Sequence, residues 1–432
     1  MKYVFNFIYL LAVLILAPKF IYRLLRHNRY RAGWPQRLGK IQRKNPDKKS
    51  IWLHAVSVGE VNASKTLVEK LLESSVEYEI VITTTTDTGF ARANQLFAGK
   101  NLVCYFPFDF SFTMRRAFKN INPAAILLME LELWPNLVTI ANQQNVPVVV
   151  VNGRISDKSF PKYRLVKPFI KKIFQKTTLV LAQTEQYAGR FIELGTPSGK
   201  VLVTGSLKYD TAQIADKVDG SSQLAAKLNI NQNDQLFVAG GTGDNEEEIL
   251  LKVYTELISQ PAFADLRLAI IPRKPERFDS VAQLISRFNL PIVRYSRIKN
   301  NPDSPTPEKN TVILGDTMGD LRKFYSLATV IFVGRSLVPM GGSDMAEAAA
   351  LGKCTIFGPH TFNFNQTVDD LLNEQGAIQV KNEQELLVAT EKCLNEPQYA
   401  QKIARNGQNV IRKNQGATEK TLEQIKKLLQ NK

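Results

Sequence analysis

Twice along its 432 residues the chain repeats one arrangement, in which short and almost wholly apolar runs alternate with stretches of helical spacing. Residues 51–55, 78–83, 102–106, 124–129, 146–151 and 178–182 read as buried strands, and segments such as 61–72, 135–143 and 186–194 carry apolar residues at helical intervals between them. Strands of continuous apolarity separated by amphipathic helices are the signature of a parallel sheet covered on both faces. The pattern pauses over the polar stretch 208–222 and resumes with strands at 236–239, 266–271, 311–314, 330–333 and 355–357. A charged, mainly helical tail closes the chain from residue 383 to 429. The expectation is therefore an α/β protein of two doubly wound, Rossmann-like domains facing across a cleft at the carboxyl ends of their sheets. The boundaries read as 1–49 for an N-terminal segment, 50–210 for the first domain, 211–222 for a linker, 223–415 for the second domain and 416–432 for a terminal helix.

The N-terminal segment differs from the rest in charge. Residues 1–50 hold twelve Lys or Arg against the single acid Asp47, a local excess of +11 out of a formal +16 for the chain. A surface lined with phosphates is the implied partner, and both nucleic acid and an anionic membrane satisfy that electrostatically. The apolar run from Tyr3 to Leu16 decides for the membrane and against nucleic acid. That run is shorter than the ~20 residues of a comfortable span. A cleaved signal peptide is the alternative, but it would have only Lys2 in its charged head and no small-x-small site after it. With the positive charge downstream, the expectation is a retained anchor or interfacial helix with the remainder on the cytoplasmic side. Cys104, Cys354 and Cys393 show neither CxxC spacing nor an even count, and read as buried small hydrophobes.

Candidate chemistry gathers where strands end. Glu60 follows the first strand in His54-Ala55-Val56-Ser57-Val58-Gly59-Glu60, where a carboxylate could take a proton from an attacking hydroxyl. It would equally suit the first turn of a helix, whose dipole favours an acid. Glu130 and Glu132 follow the strand 124–129 and would share one face if the extended conformation continued, unless they are solvated loop acids. In the second half, Gly240-Gly241-Thr242-Gly243 could cradle a phosphate, although glycine-rich turns are common and the acids beside it would repel an anion. Arg273, Lys274 and Arg277 place cations after another strand, and Lys208 places one at the domain junction. Gly341-Gly342 leads towards Glu347, then a strand, then Gly358-Pro359-His360-Thr361-Phe362-Asn363, an order that suits a nucleotide. No Asp-x-Asp, HExxH or P-loop occurs, so the default expectation is a reaction without a metal or other cofactor.

Taken in order, WLHAVSVGE, TTTTDTG, YFPFD, ELELWPN, NGRIS, GSLKYD, PRKPERF, GDTMGDL, FVGRSLVPMGG and GPHTFNF resemble the Kdo (3-deoxy-D-manno-octulosonic acid) transferases of lipopolysaccharide assembly over nearly the whole chain. The resemblance implies a GT-B glycosyltransferase at the cytoplasmic face of a bacterial inner membrane. It also implies inverting, metal-independent transfer from CMP-Kdo to a lipid A precursor, lipid IVA. Carried over by motif, Glu60 would be the general base, with Glu130 and Glu132 assisting on the acceptor side. Arg273, Arg277, Gly341, Gly342, Glu347, Gly358, Pro359, His360, Phe362 and Asn363 would serve the donor, and Lys208 would be a further substrate-binding residue. The chain departs from the family after Gly342, where relatives commonly read His-Asn-Pro-Leu-Glu-Pro and this one reads Ser343-Asp344-Met345-Ala346-Glu347-Ala348. The AGST-like turn near Gly240 is altered to Gly-Gly-Thr-Gly as well. A GT-B enzyme using a UDP-sugar and a non-catalytic membrane scaffold are the competing readings. GPHTFNF and PRKPERF argue against the first, and Glu60 within the full motif series against the second.

Overall fold

A computed structural model describes Asn6, Tyr9 and residues 32–74, 77–215, 217–299, 301 and 306–430. The apolar run proposed as an anchor lies outside the described residues apart from Asn6 and Tyr9, and no helix among the described residues is long and apolar enough to cross a membrane. The chain divides into two compact units, one made of residues 1–211 with 414–432 and the other of residues 212–413.

The first unit is built on a seven-stranded parallel sheet in the order β3-β2-β1-β4-β5-β6-β7. Its strands are β1 (Ser50–His54), β2 (Glu79–Thr84), β3 (Leu102–Tyr105), β4 (Pro123–Met129), β5 (Val148–Gly153), β6 (Leu179–Ala182) and β7 (Val201–Val203). Central strands such as Ile51-Trp52-Leu53 and Ala125-Ile126-Leu127 are fully enclosed because helices cover both faces, which is why their sequences do not alternate. A hydroxyl caps the helix after three of these strands. Ser57, Thr86 and Thr184 accept from the N–H groups of Glu60, Gly89 and Tyr187 at 3.4, 3.1 and 3.2 Å, fixing where the chain leaves the sheet. The terminal helix Ala417–Gln430 returns to this unit, packing Leu422, Ile425 and Leu429 into the same core as Ile51 and Leu67. Asp210 pins its start by accepting from Gly416 N–H at 2.7 Å and from Thr418 N–H.

The second unit repeats the plan in the order β10-β11-β9-β8-β12-β13-β14. Its strands are β8 (Leu236–Thr242), β9 (Arg267–Pro272), β10 (Ile292–Arg294), β11 (Val312–Leu314), β12 (Val330–Val333), β13 (Cys354–Phe357) and β14 (Ile378–Gln379). β8 continues through Gly240 and Gly241, where the sequence had suggested a phosphate-holding turn. The reason is packing: a Cβ on Gly240 would lie 2.4 Å from the ring and hydroxyl of Tyr325, so the glycine admits a close neighbour inside the strand. Cys354 and Cys393 are buried with their sulfurs 3.4 Å apart, and Cys104 is buried in the first unit.

Candidate functional site

In each sheet the connections diverge on either side of one strand pair, β1/β4 in the first and β8/β12 in the second, and the carboxyl ends of such a pair open a crevice. Glu60 stands at the first of these edges on the helix Val58–Ala63 and is only 8% exposed. Its two oxygens accept from Val56 N–H and from the Ser57 hydroxyl, each at 2.9 Å. The first-turn role is thus met in full, yet each oxygen keeps a further lone pair. Burial, reinforced by the like charge of Glu130, raises the pKa of this carboxyl.

The extended conformation expected across Glu130 and Glu132 does not form. Glu130 adopts φ +56° and donates its N–H to Val151 O at 2.9 Å, while Trp134 N–H closes a turn onto Glu132 O at 2.9 Å. A left-handed residue here ends β4 abruptly, and the helix Pro135–Gln143 begins five residues on with Pro at its first position. The turn nevertheless delivers the two acids to Glu60. Burial first, then the charge of Glu60 and then that of Glu130, pushes the Glu132 carboxyl up to about 7. Tyr163, on the helix Phe160–Leu165, feels the charge of Glu132 and borders with Leu131 and Leu133 an apolar cavity of 60 Å³. Nothing in its sequence context singled it out. His54 is no rival for the base: fully buried, stacked on Phe106 and bonded through Nδ1 to Thr83, it is held neutral, its pKa lowered to about 3 by burial.

In the second unit the loops after β12 and β13 are fastened to each other. Gly342 N–H donates to Arg335 O at 2.8 Å and Ser343 N–H to Gly334 O at 2.9 Å, closing the Gly341-Gly342 turn. Both glycines have positive φ, +88° and +81°, and a Cβ on Gly341 would lie 2.2 Å from Asn363 Nδ2. Asn363 N–H reaches Gly341 O at 3.2 Å, His360 N–H reaches Ser336 O at 2.9 Å, and Gly358 N–H reaches Ser336 Oγ at 2.8 Å. Pro359 and Phe362 stay exposed beside them, Phe362 at 60%. Glu347 lies in the short helix Met345–Ala350. Burial and then the charge of Asp344 push its carboxyl up to about 7, against the pull of Arg322 and Arg273. Gly341, Gly342, Gly358, His360 and Asn363 are therefore brought together, and Arg273, exposed after β9, lies within electrostatic reach of Glu347.

Arg277 is occupied. Its Nη1 bridges both oxygens of the fully buried Glu247 at 2.9 and 3.1 Å, and its Nε meets Asp244 at 2.6 Å. The Gly243 N–H, expected to face a phosphate, is taken by the buried Glu246 carboxylate at 3.0 Å. Lys208 belongs to the first unit, half-buried on the helix Leu207–Thr211. Among the described residues no group of three His, Cys, Asp or Glu is arranged to hold a metal ion.

Residues 32–211 match the family described as 3-deoxy-D-manno-octulosonic-acid transferase (kdotransferase). The chain is 33% identical over 408 residues to the 3-deoxy-D-manno-octulosonic acid transferase of Haemophilus influenzae, covering 93% of this chain and 92% of that protein. It is 30% identical over 431 residues to the enzyme of the same name from Bordetella pertussis, covering 97% and 98%. Among solved structures, a glycosyltransferase from Rickettsia africae superposes with a TM-score of 0.56 at 15% identity, over 89% of this chain and 100% of that one, a likeness of fold.

Proposed function

Because the chain belongs to the 3-deoxy-D-manno-octulosonic acid transferase family, we propose that it transfers Kdo from CMP-Kdo to a hydroxyl of a lipid A precursor, with Glu60 as the base. The observation that carries this reading is the convergence of Glu60, Glu130 and Glu132 at the β1/β4 edge, where a buried carboxylate oriented by two hydrogen bonds sits beside a second whose proton is held up to about neutral pH. The acceptor oxygen attacks the anomeric carbon of Kdo from the face opposite CMP. Its proton passes to Glu60, and the bond from that carbon to the CMP phosphate breaks, with the electron pair leaving on the phosphate. Inversion follows from the single displacement, and the raised pKa of Glu60 suits it to hold the proton it receives. Clustered carboxylates share protons, so a proton on Glu132 removes one of the like charges beside Glu60 and leaves that of Glu130.

The donor belongs to the second unit. The Gly341-Gly342 turn and the Gly358–Asn363 loop provide backbone for close approach to the nucleotide, Glu347 can accept from ribose hydroxyls, and Arg273 offsets charge on the leaving phosphate. Arg277 acts through Glu247 and Asp244 rather than by direct contact. Lys208, on the first unit, is a further cation for an anionic substrate group. The apolar run from Tyr3 to Leu16 and the basic block beyond it would hold the enzyme at the cytoplasmic face of a bacterial inner membrane, where the lipid acceptor lies. The test is calorimetric binding of CMP and of UDP, followed by turnover of CMP-Kdo with the acceptor. CMP binding with acceptor-dependent CMP release supports the reading, and a preference for UDP with no turnover of CMP-Kdo overturns it.

A further inference from the structure

Three consecutive acids, Glu246-Glu247-Glu248, open the helix Glu246–Ile258, and from the sequence they look alike. The structure separates them. Glu248 pairs at the surface with Lys252 at 3.1 Å, Glu247 holds Arg277, and Glu246 is fully buried with no ion pair among the described residues. What Glu246 has instead is four backbone donors. Its Oε2 accepts from Gly243 N–H at 3.0 Å and from Arg335 N–H, and its Oε1 accepts from Ser336 N–H at 2.7 Å and Leu337 N–H at 2.9 Å. Successive N–H groups converging on one anion form the kind of nest that elsewhere binds phosphate, and here a side chain of the protein already fills it.

The residues so gathered are the base of both donor loops. Arg335 is a non-glycine residue at φ +60°, a conformation that persists only where its surroundings enforce it. Its carbonyl receives Gly342 N–H, and its guanidinium donates to Met340 O at 3.2 Å, so the Gly341-Gly342 turn hangs from it on two sides. Ser336, next in line, receives His360 N–H on its carbonyl and Gly358 N–H on its hydroxyl. One carboxylate thus fixes three consecutive residues from which both loops are suspended.

Resting on the donor assignment made above, we propose that Glu246 is a positioning residue for CMP-Kdo: by collecting the N–H groups of Gly243, Arg335, Ser336 and Leu337 it sets the geometry of the Gly341-Gly342 turn and the Gly358–Asn363 loop. A carboxylate is required because four donors need two accepting oxygens, and glutamine offers one oxygen and turns its amide nitrogen towards the remaining N–H groups. With its four N–H groups taken by Glu246, the nest is closed to the donor phosphate. Glu246 touches no substrate, so its removal acts on donor binding and leaves acceptor binding alone.

The experiment measures initial rates of the full chain with CMP-Kdo and acceptor varied in turn, for the wild type, Glu246→Gln and Ser336→Ala. For Glu246→Gln the donor KM rises on the order of 10–100-fold, as expected when two hydrogen bonds to a buried charged group are lost, with the acceptor KM unchanged and kcat at saturating donor within a few-fold. Hydrogen exchange across residues 335–343 accelerates while exchange in β1 and β4 does not. Ser336→Ala keeps the carboxylate and removes only the hydroxyl that holds Gly358, and it raises the donor KM by several-fold, a smaller change in the same direction. A donor KM within twofold of wild type for Glu246→Gln overturns the proposal, as do equal losses for both substrates. If Glu246→Gln does not fold, an unchanged donor KM in Ser336→Ala overturns it and a selective rise supports it. A wild type that releases no CMP from CMP-Kdo would instead refute the functional reading beneath.

Discussion

Replacing Arg277 with methionine tests whether this cation is a strut or a ligand, and the structure sets the size of the answer. Glu247 is fully buried and accepts from Thr242 Oγ1 at 2.8 Å and from the Arg277 guanidinium at 2.9 and 3.1 Å, its cationic partner. Deleting one member of a buried pair costs ~3–5 kcal/mol. Arg277 keeps 17% of its side chain in solvent, and Glu247 can relieve its isolation by taking a proton, so the expected loss is ~2–4 kcal/mol. For a unit of this size that lowers Tm by roughly 5–12 °C. The pH dependence has a definite sign. Burial alone already raises the Glu247 pKa, and without the guanidinium it rises further above its unfolded value, so the variant is least impaired below the ordinary carboxylate range and loses stability as pH climbs through the folded pKa. Arg277→Met should therefore lie close to wild type at pH 5 and well below it at pH 8, and Arg277→Met/Glu247→Leu should recover most of the loss, because removing both charges is nearly neutral. Thermal unfolding at the two pH values with CMP calorimetry on the same samples is the assay. If Arg277→Met unfolds like wild type at both pH values but loses more than about tenfold in CMP affinity, the guanidinium is a donor ligand and the strut argument fails.

Three further expectations follow from the same geometry. Gly341→Ala forces a Cβ onto a φ of +88° and against Asn363 Nδ2, so it should destabilise the turn by ~1–2 kcal/mol and raise the donor KM without affecting the acceptor, a split that steady-state kinetics with each substrate would reveal. Since Glu60 must be ionised to act and burial holds its proton, kcat should fall on the acid side with a midpoint above the ordinary 4.5, and a rate that stays flat down to that pH would exclude it as the base. Turnover should survive excess EDTA, and loss on chelation restored by Mg²⁺ or Mn²⁺ would overturn a metal-independent reaction.

Most of what positions the site is legible in the sequence, because parallel strands buried on both faces leave uninterrupted apolar runs that locate β1, β2, β4, β9 and β12 closely. The edge strands β7, β10 and β14 are not, since two or three partly exposed residues carry no periodicity. Glycine misled at Gly240, where the missing Cβ makes room for Tyr325 inside a strand rather than for a ligand at a turn. The acid trio was found by its position after β1 and β4, although the backbone reaches it through a left-handed turn at Glu130 that alternation could not foretell. Arg277 and Glu246 show the limit of reading charge along a chain: whether an acid or base faces a ligand or a buried partner is decided by residues 30 or 90 positions away.

The central claim, that the carboxylate at the β1/β4 edge takes the acceptor's proton, is tested most directly by Glu60→Gln. The amide keeps the shape of the side chain and can still accept from Val56 N–H or Ser57, so folding and CMP binding should remain near wild type. With CMP-Kdo and a lipid A precursor in excess, kcat should drop by ~10²–10⁴-fold, the usual contribution of a general base. A folded Glu60→Gln enzyme that keeps more than about a tenth of the wild-type rate would contradict the account.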